Sequence, residues 1–159
     1  MSGGLERLIG LWNRSAGPGD PPTGEATSRL YAPRVKICGL TRLEDIACVN
    51  RSLPDLVGFV FAPASRRAVD PRTAAALRAR LDPRIPAVGV FVDTPVEQVV
   101  ELLDSGTIDA VQLHGQEDES YLAALRRLTD KPVIQAFRIG SAEDVEAALL
   151  STADLLLLD

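Results

Sequence analysis

The segment Arg34-Val-Lys-Ile-Cys-Gly-Leu-Thr-Arg-Leu-Glu-Asp45 carries a thiol to a position where α/β proteins do chemistry. It reads as a short strand with Cys38 at its carboxyl end, a Gly turn, and then a helix. Thr41 is expected to begin that helix, with Glu44 three residues on as its reciprocal capping partner. The last residue, Asp159, ends a second apolar run, Asp154-Leu-Leu-Leu-Leu-Asp159. A thiol and a carboxylate at two strand tips can serve as a base and an acid. A working thiolate needs a helix start or a cation beside it, and Lys36, two residues before Cys38, shares its face. An acid that donates near neutrality must hold its proton more tightly than an ordinary carboxyl, and desolvation is the expected means. The residues alone leave another reading open, since free cysteine is often a small buried hydrophobe. Cys48, inside the first helix, is expected to be a packing residue.

The elements that would position these groups follow from the pattern beyond Arg34. Apolar strand runs occur at Val35–Cys38, Leu56–Phe61, Ala87–Val92, Ala110–His114, Pro132–Phe137 and Leu155–Leu158. Helical stretches lie between them, with starts marked by Asp70-Pro71, by Thr94-Pro95-Val-Glu97 and by Ser141-Ala-Glu-Asp144. Their apolar faces include Val96, Val99, Val100 and Leu103, and then Tyr121, Leu122, Leu125 and Leu128. Strands that alternate with helices require a parallel sheet with helical crossovers. An open doubly wound sheet and a (β/α)8 barrel both fit. The nucleotide-binding form of the open sheet wants a Gly-rich turn after its first strand, and only Gly39 is there. Alternation favours the barrel, because Lys36 points with Cys38, Gln112 with His114, and Leu155 and Leu157 with Asp159.

The chain has 159 residues, enough for one domain with a real core, and 46% hydrophobic against 25% charged residues is ordinary for a globular protein. A net charge of −5 disfavours nucleic acid or an anionic membrane as partner. Cys38 and Cys48 are too few for a disulfide framework, no apolar run approaches ~20 residues, and no signal-peptide pattern opens the chain. A cytoplasmic protein is expected, with no nucleic acid and no membrane among its partners. Residues 1–33 read as an N-terminal extension. Leu5, Leu8, Ile9 and Trp12 have helical spacing, and the Gly- and Pro-rich segment Gly17–Gly24 cannot be regular structure. Residues 34–159 are then the folded part. Nothing in the pattern sets an oligomeric state.

Five segments appear in one order: Lys36-Ile-Cys-Gly39; Val57-Gly-Phe-Val-Phe61 with Ser65-Arg-Arg67; Val88-Gly-Val-Phe-Val92; Ala110-Val-Gln-Leu-His-Gly115; and Leu156-Leu-Leu-Asp159. The series closely resembles the phosphoribosylanthranilate isomerase family of tryptophan biosynthesis, a (β/α)8 TIM barrel of the phosphate-binding type. The resemblance covers residues 34–159, the family's first six βα units. It implies an Amadori rearrangement of N-(5′-phosphoribosyl)anthranilate to the carboxyphenylamino-deoxyribulose phosphate. Cys38 matches the family's general base and Asp159 its general acid. Arg67 matches the arginine that holds the anthranilate carboxylate. Gln112 and His114 match the polar pair on strand four, and Lys36 would be an inner-barrel charge balanced by a carboxylate. The resemblance implies no metal and no redox cofactor, because the iminium intermediate is itself the electron sink. The partner is a small phosphorylated substrate.

The family continues through two more strands and their helices, where a Gly-rich loop holds the phosphate, and Gly140 is the last glycine here. A truncated product is therefore expected, unable to close its barrel and inactive by itself. The rival readings are a non-catalytic barrel fragment acting as an interaction module and an isomerase of another sugar phosphate. The pair Cys38 and Asp159 argues against the latter.

Overall fold

The computed structural model describes residues 34–159, and the expected extension over residues 1–33, with its helix at Leu5–Trp12, lies outside them. Strand and helix alternate throughout: β1 (Lys36–Cys38), α1 (Leu43–Ser52), β2 (Leu56–Val60), α2 (Pro71–Arg78), β3 (Ala87–Phe91), α3 (Val96–Asp104), β4 (Ala110–Leu113), α4 (Glu119–Leu128), β5 (Val133–Phe137), α5 (Ala142–Leu149) and β6 (Leu155–Leu158). The strands form one 6-stranded parallel sheet in chain order. That order rules out the doubly wound alternative, in which the strand order reverses at a switch point.

The sheet is curled, and one contact demonstrates it. Neighbouring strands lie ~4.8 Å apart, so β1 and β4 would be ~14 Å apart in a flat sheet, with side chains standing perpendicular to it. Yet Lys36 Nζ on β1 donates to Gln112 Oε1 on β4 at 2.6 Å. The inner face must close around that pair, as in a (β/α)8-type barrel of which these are six units. Leu56, Val88, Ala110 and Ile134 line the inside with Leu155 and Leu157 against them. Val60, Ala62 and Val90 form a further inner cluster against Cys38. The larger core lies outside the sheet, where Val57, Phe59, Phe91, Val111, Leu113 and Val133 meet the helices through Ile46, Leu77, Val99, Leu122 and Leu125. Strands β2, β3 and β4 are buried at every position, which is why they read as continuous apolar runs.

The expected caps at Asp70 and Ser141 are present. Asp70 accepts the Thr73 N–H at 2.7 Å, with Pro71 opening α2. Ser141 Oγ accepts the Asp144 N–H while Asp144 accepts the Ser141 N–H. Two other helix starts differ from expectation. Leu40, 5% exposed, buries the turn after β1, so α1 begins at Leu43 rather than at Thr41. Asp45, not Glu44, reaches back to accept the N–H groups of Thr41 and Arg42 at 2.9 and 3.0 Å. Before α3 the chain turns at Asp93 (φ 50°), the Thr94 hydroxyl donates to the Val92 carbonyl, and Pro95 holds the cap position without a side-chain bond. Leu128 also departs from its expected face and is exposed.

The amino-terminal ends of the strands are tied by a repeated device that the sequence pattern does not announce. Asp55 accepts the Val35 N–H at 2.8 Å and pairs with Arg34. Asp109 accepts the Ala87 N–H at 2.9 Å and pairs with Arg78. Asp154 accepts the Val133 N–H at 2.7 Å and pairs with Arg126. Each aspartate stands just before an even-numbered strand and holds the start of the odd-numbered one beside it, which locks register in pairs. The outer strands are less well covered. Val35 and Ile37 are exposed at the β1 edge, and Leu156 and Leu158 at β6, with Leu149, the last residue of α5, and Leu150 after it nearby in sequence and more exposed still. No helix among the described residues is long and apolar enough to cross a membrane.

The Asp45 cap carries a pH signature. The Thr41 N–H holds its carboxyl below the ordinary value of 3.8, against the opposing pull of burial. A depressed folded-state value means stability that is present above the unfolded value and lost as pH falls through the folded one. Asp45→Ala should cost about 1 kcal/mol at neutral pH, read from urea midpoints. The gap between variant and parent should shrink as the pH drops below 3.8. A gap unchanged into acid would show that the carboxylate does not cap α1.

Candidate active site

Parallel strands place all their carboxyl ends at one mouth, and the curl turns the inner residues of β1, β4 and β6 towards each other. The inner face of β1 supplies Lys36 and Cys38, that of β4 supplies Gln112 with His114 just beyond it, and Asp159 follows β6. Lys36 Nζ lies 3.4 Å from Cys38 Sγ and 2.6 Å from Gln112 Oε1. Gln112 Nε2 meets His114 Nδ1 at 3.1 Å, and His114 Nε2 meets Asp159 Oδ2 at 3.3 Å. One unbroken line of polar contacts thus runs from the thiol to the carboxylate.

Arg67 joins at the thiol end. The loop after β2 turns back on itself, with the Val69 N–H on the Val60 carbonyl and the Arg67 N–H on Ser65 Oγ. This lays the arginine over Gly39, and its Nη1 donates to the Cys38 carbonyl at 3.0 Å. Gly39 has a φ of +88°, a conformation that favours glycine, and a Cβ there would stand 2.6 Å from Arg67 Cδ, so the arginine would have to shift. Arg66, its neighbour, is exposed.

Burial is greatest at the middle of the line. Gln112 is 3% exposed, Lys36 and Cys38 are partly buried, and the side chains of His114 and Asp159 are 38% and 62% exposed. Asp159, which follows the edge strand of the described residues, is open there. Two expectations are corrected by this arrangement. Among the described residues Lys36 is met by an amide oxygen and a sulfur, not by a carboxylate, because Gln112 occupies the facing position on β4. Cys48 is exposed on α1 rather than packed, since the buried face of that helix is Ile46 and Val49.

Two features escaped the sequence reading. Gly58 lies beside Cys38 in register, and a Cβ on it would stand 2.6 Å from Sγ. A glycine inside an apolar strand was the available signal of a close approach. The second feature braces the loop that carries His114. The buried Glu117 carboxylate accepts the N–H groups of Asp93 and Gly115 at 2.7 and 2.8 Å, and Asp93 accepts the Gln116 N–H at 2.7 Å. Tyr121 completes the brace by donating to the Thr94 carbonyl at 2.8 Å. Its hydroxyl is pushed up to about 12, first by burial and then by the charges of Glu117 and Glu97, so it stays a donor. A hollow of about 1010 Å³ between α2 and α3 touches none of the linked side chains. A smaller one of about 520 Å³ is bordered by His114 and Asp159.

Known proteins resemble this chain in sequence and in fold. The family model described as N-(5'phosphoribosyl)anthranilate (PRA) isomerase matches residues 35–159. The N-(5'-phosphoribosyl)anthranilate isomerase of Endomicrobium trichonymphae is 45% identical over 80% of this chain and 62% of its own length. The crystal structure of phosphoribosyl anthranilate isomerase from Thermotoga maritima superposes with a TM-score of 0.73 at 36% identity, over 80% of this chain and 62% of that one. A phosphoribosyl anthranilate isomerase crystallised with reduced 1-(O-carboxyphenylamino)-1-deoxyribulose 5-phosphate gives the same score and identity, over 80% of this chain and 65% of its own. The chain spans about three-fifths of the length of the curated relatives it matches.

The contact at Gly58 has a measurable consequence. Gly58→Ala should destabilise by about 1–3 kcal/mol through overpacking, seen as a lower urea midpoint. In a Cys38→Ala background most of that cost should vanish, because the sulfur that the new methyl meets is gone. An equal cost in both backgrounds would show that Gly58 is not there to make room for Sγ.

Proposed function

This chain belongs to the PRA isomerase family, and we propose that its line of polar side chains is the acid–base machinery of that isomerisation. The observation that carries the proposal is the continuous contact path from Cys38 to Asp159, two proton-transfer groups at strand tips on one mouth. Asp159 gives a proton to the furanose ring oxygen of N-(5′-phosphoribosyl)anthranilate, and the ring opens to an iminium. Cys38, as thiolate, removes the proton from C2′, and the resulting enol becomes the ketone. Lys36 supports this role because its ammonium donates to Sγ, the interaction a thiolate needs.

Arg67 holds the anthranilate carboxylate with the guanidinium N–H groups not directed at the Cys38 carbonyl. Gln112, His114 and Lys36 line the substrate's path and fix the two reacting groups. The substrate's phosphate is held by elements beyond these six strands, as the family's Gly-rich loop implies. We place the protein in the cytoplasm, where its two cysteines stay reduced.

The direct test is a chimera joined at Asp159 to the remaining part of the Endomicrobium relative. In it, Cys38→Ala and Asp159→Asn should each lower turnover by ~10²–10⁴-fold. Near-normal steady-state turnover in either variant would remove the role assigned to that residue. Arg67→Ala should instead act mainly on KM, since it grips a group remote from the bond changes, with a loss of ~1.5–3 kcal/mol of binding. An unchanged KM with lowered kcat would contradict that assignment.

Residues 1–159 alone should show no isomerase activity and should associate in solution. Among the described residues β1 and β6 are the edge strands, and they carry the exposed Ile37, Leu156 and Leu158. Light scattering and an assay of the same sample decide the matter. A monomer that turns over substrate unaided would favour a complete site within these strands, and an inactive chimera would favour the interaction-module reading.

A further inference from the structure

We infer that Lys36 sets the tautomer of His114, and through it the hydrogen bond delivered to Asp159 two strands further on. The inference follows from which atoms can donate. An ammonium has donors only, so the atom of Gln112 that faces Lys36 Nζ at 2.6 Å must be its amide oxygen. The opposite amide orientation would set NH₂ against NH₃⁺ at a side chain 3% exposed, where water cannot relieve the clash. With the oxygen committed to Lys36, the Gln112 NH₂ is directed at His114 Nδ1, 3.1 Å away. Nδ1 must then be the acceptor. A neutral imidazole carries a single N–H, so the proton sits on Nε2 and points at Asp159 Oδ2, 3.3 Å away.

One ammonium therefore acts at both ends of the line. It donates to Cys38 Sγ directly, and it orients the acceptor side of Asp159 through Gln112 and His114. With Oδ2 receiving the imidazole N–H, Oδ1 is left as the oxygen that carries the transferable proton. Lys36 is thus a positioning residue for Asp159 as well as a neighbour of the thiol. The assignment of Oδ1 rests on the isomerase reading, whereas the tautomer does not.

His114 is the only histidine of the 159, so one labelled residue reports on it without assignment. The experiment is ¹⁵N NMR of the full chain labelled at histidine, at a pH high enough to keep the imidazole neutral. The expected result is a single Nε2–H tautomer in the parent. In Lys36→Met the amide is free to rotate, and an Nδ1–H population should appear. Lys36→Arg keeps a donor-only cation and should restore the Nε2–H form. An Nδ1–H tautomer in the parent overturns the inference, as does a tautomer ratio identical in the parent and Lys36→Met. Should Lys36→Met fail to fold, Gln112→Met takes its place: it removes the amide that links Lys36 to Nδ1 and should release the same Nδ1–H population, and a ratio unchanged from the parent overturns the inference. Loss of the isomerase reading leaves these spectra unaltered, so the two failures are distinguishable.

Discussion

A lysine ammonium that faces the inside of a sheet must find acceptors there, because leaving it unpaired and desolvated is costly. Lys36 has Cys38 Sγ on its own strand, but it reaches the Gln112 oxygen only when β1 and β4 face each other across a curved interior. The same curvature brings His114 and Asp159 together from β4 and β6. Sheet closure and assembly of the polar line are therefore one event. The apolar inner layer of Leu56, Val88, Ala110 and Ile134 supplies the drive, and Lys36 with Gln112 supplies the alignment that apolar contacts cannot.

The two ends of the barrel divide stability and chemistry between them. At the amino ends, Asp55, Asp109 and Asp154 each hold a neighbouring strand's first N–H and an arginine, so charge is spent on register. At the carboxyl ends, polar groups are held by one another and by loops. Glu117 and Asp93 secure the loop that carries His114, and Arg67 is laid over Gly39 beside Cys38. A site made of side chains from several strands keeps its geometry only if those strands cannot slip. The aspartate ties at the far end prevent that slip.

Much of this was legible along the chain. The six strands fall where apolar runs were read, because β2, β3 and β4 are buried at every position and the others in part, which selects Val, Leu, Ile or Phe accordingly. The caps at Asp70 and Ser141 were legible because a capping side chain acts within three residues. The cap of α1 was misread one residue early because Glu44 and Asp45 both suit it locally. Burial of Leu40 decided between them.

The residue types at strand tips, and their shared faces, were set by the chain itself, since alternation is a property of an extended backbone. Cys38, Lys36, Arg67, Gln112, His114 and Asp159 were all named from that pattern and from family resemblance. What only the tertiary structure decided is which atoms meet. Among the described residues Lys36 faces an amide rather than a carboxylate, and Gly58 makes room for a sulfur one strand away. The physical reason is that periodicity specifies the direction of a side chain along its own strand. Its partners across the interior depend on curvature and stagger, and these are settled only when all six strands pack at once.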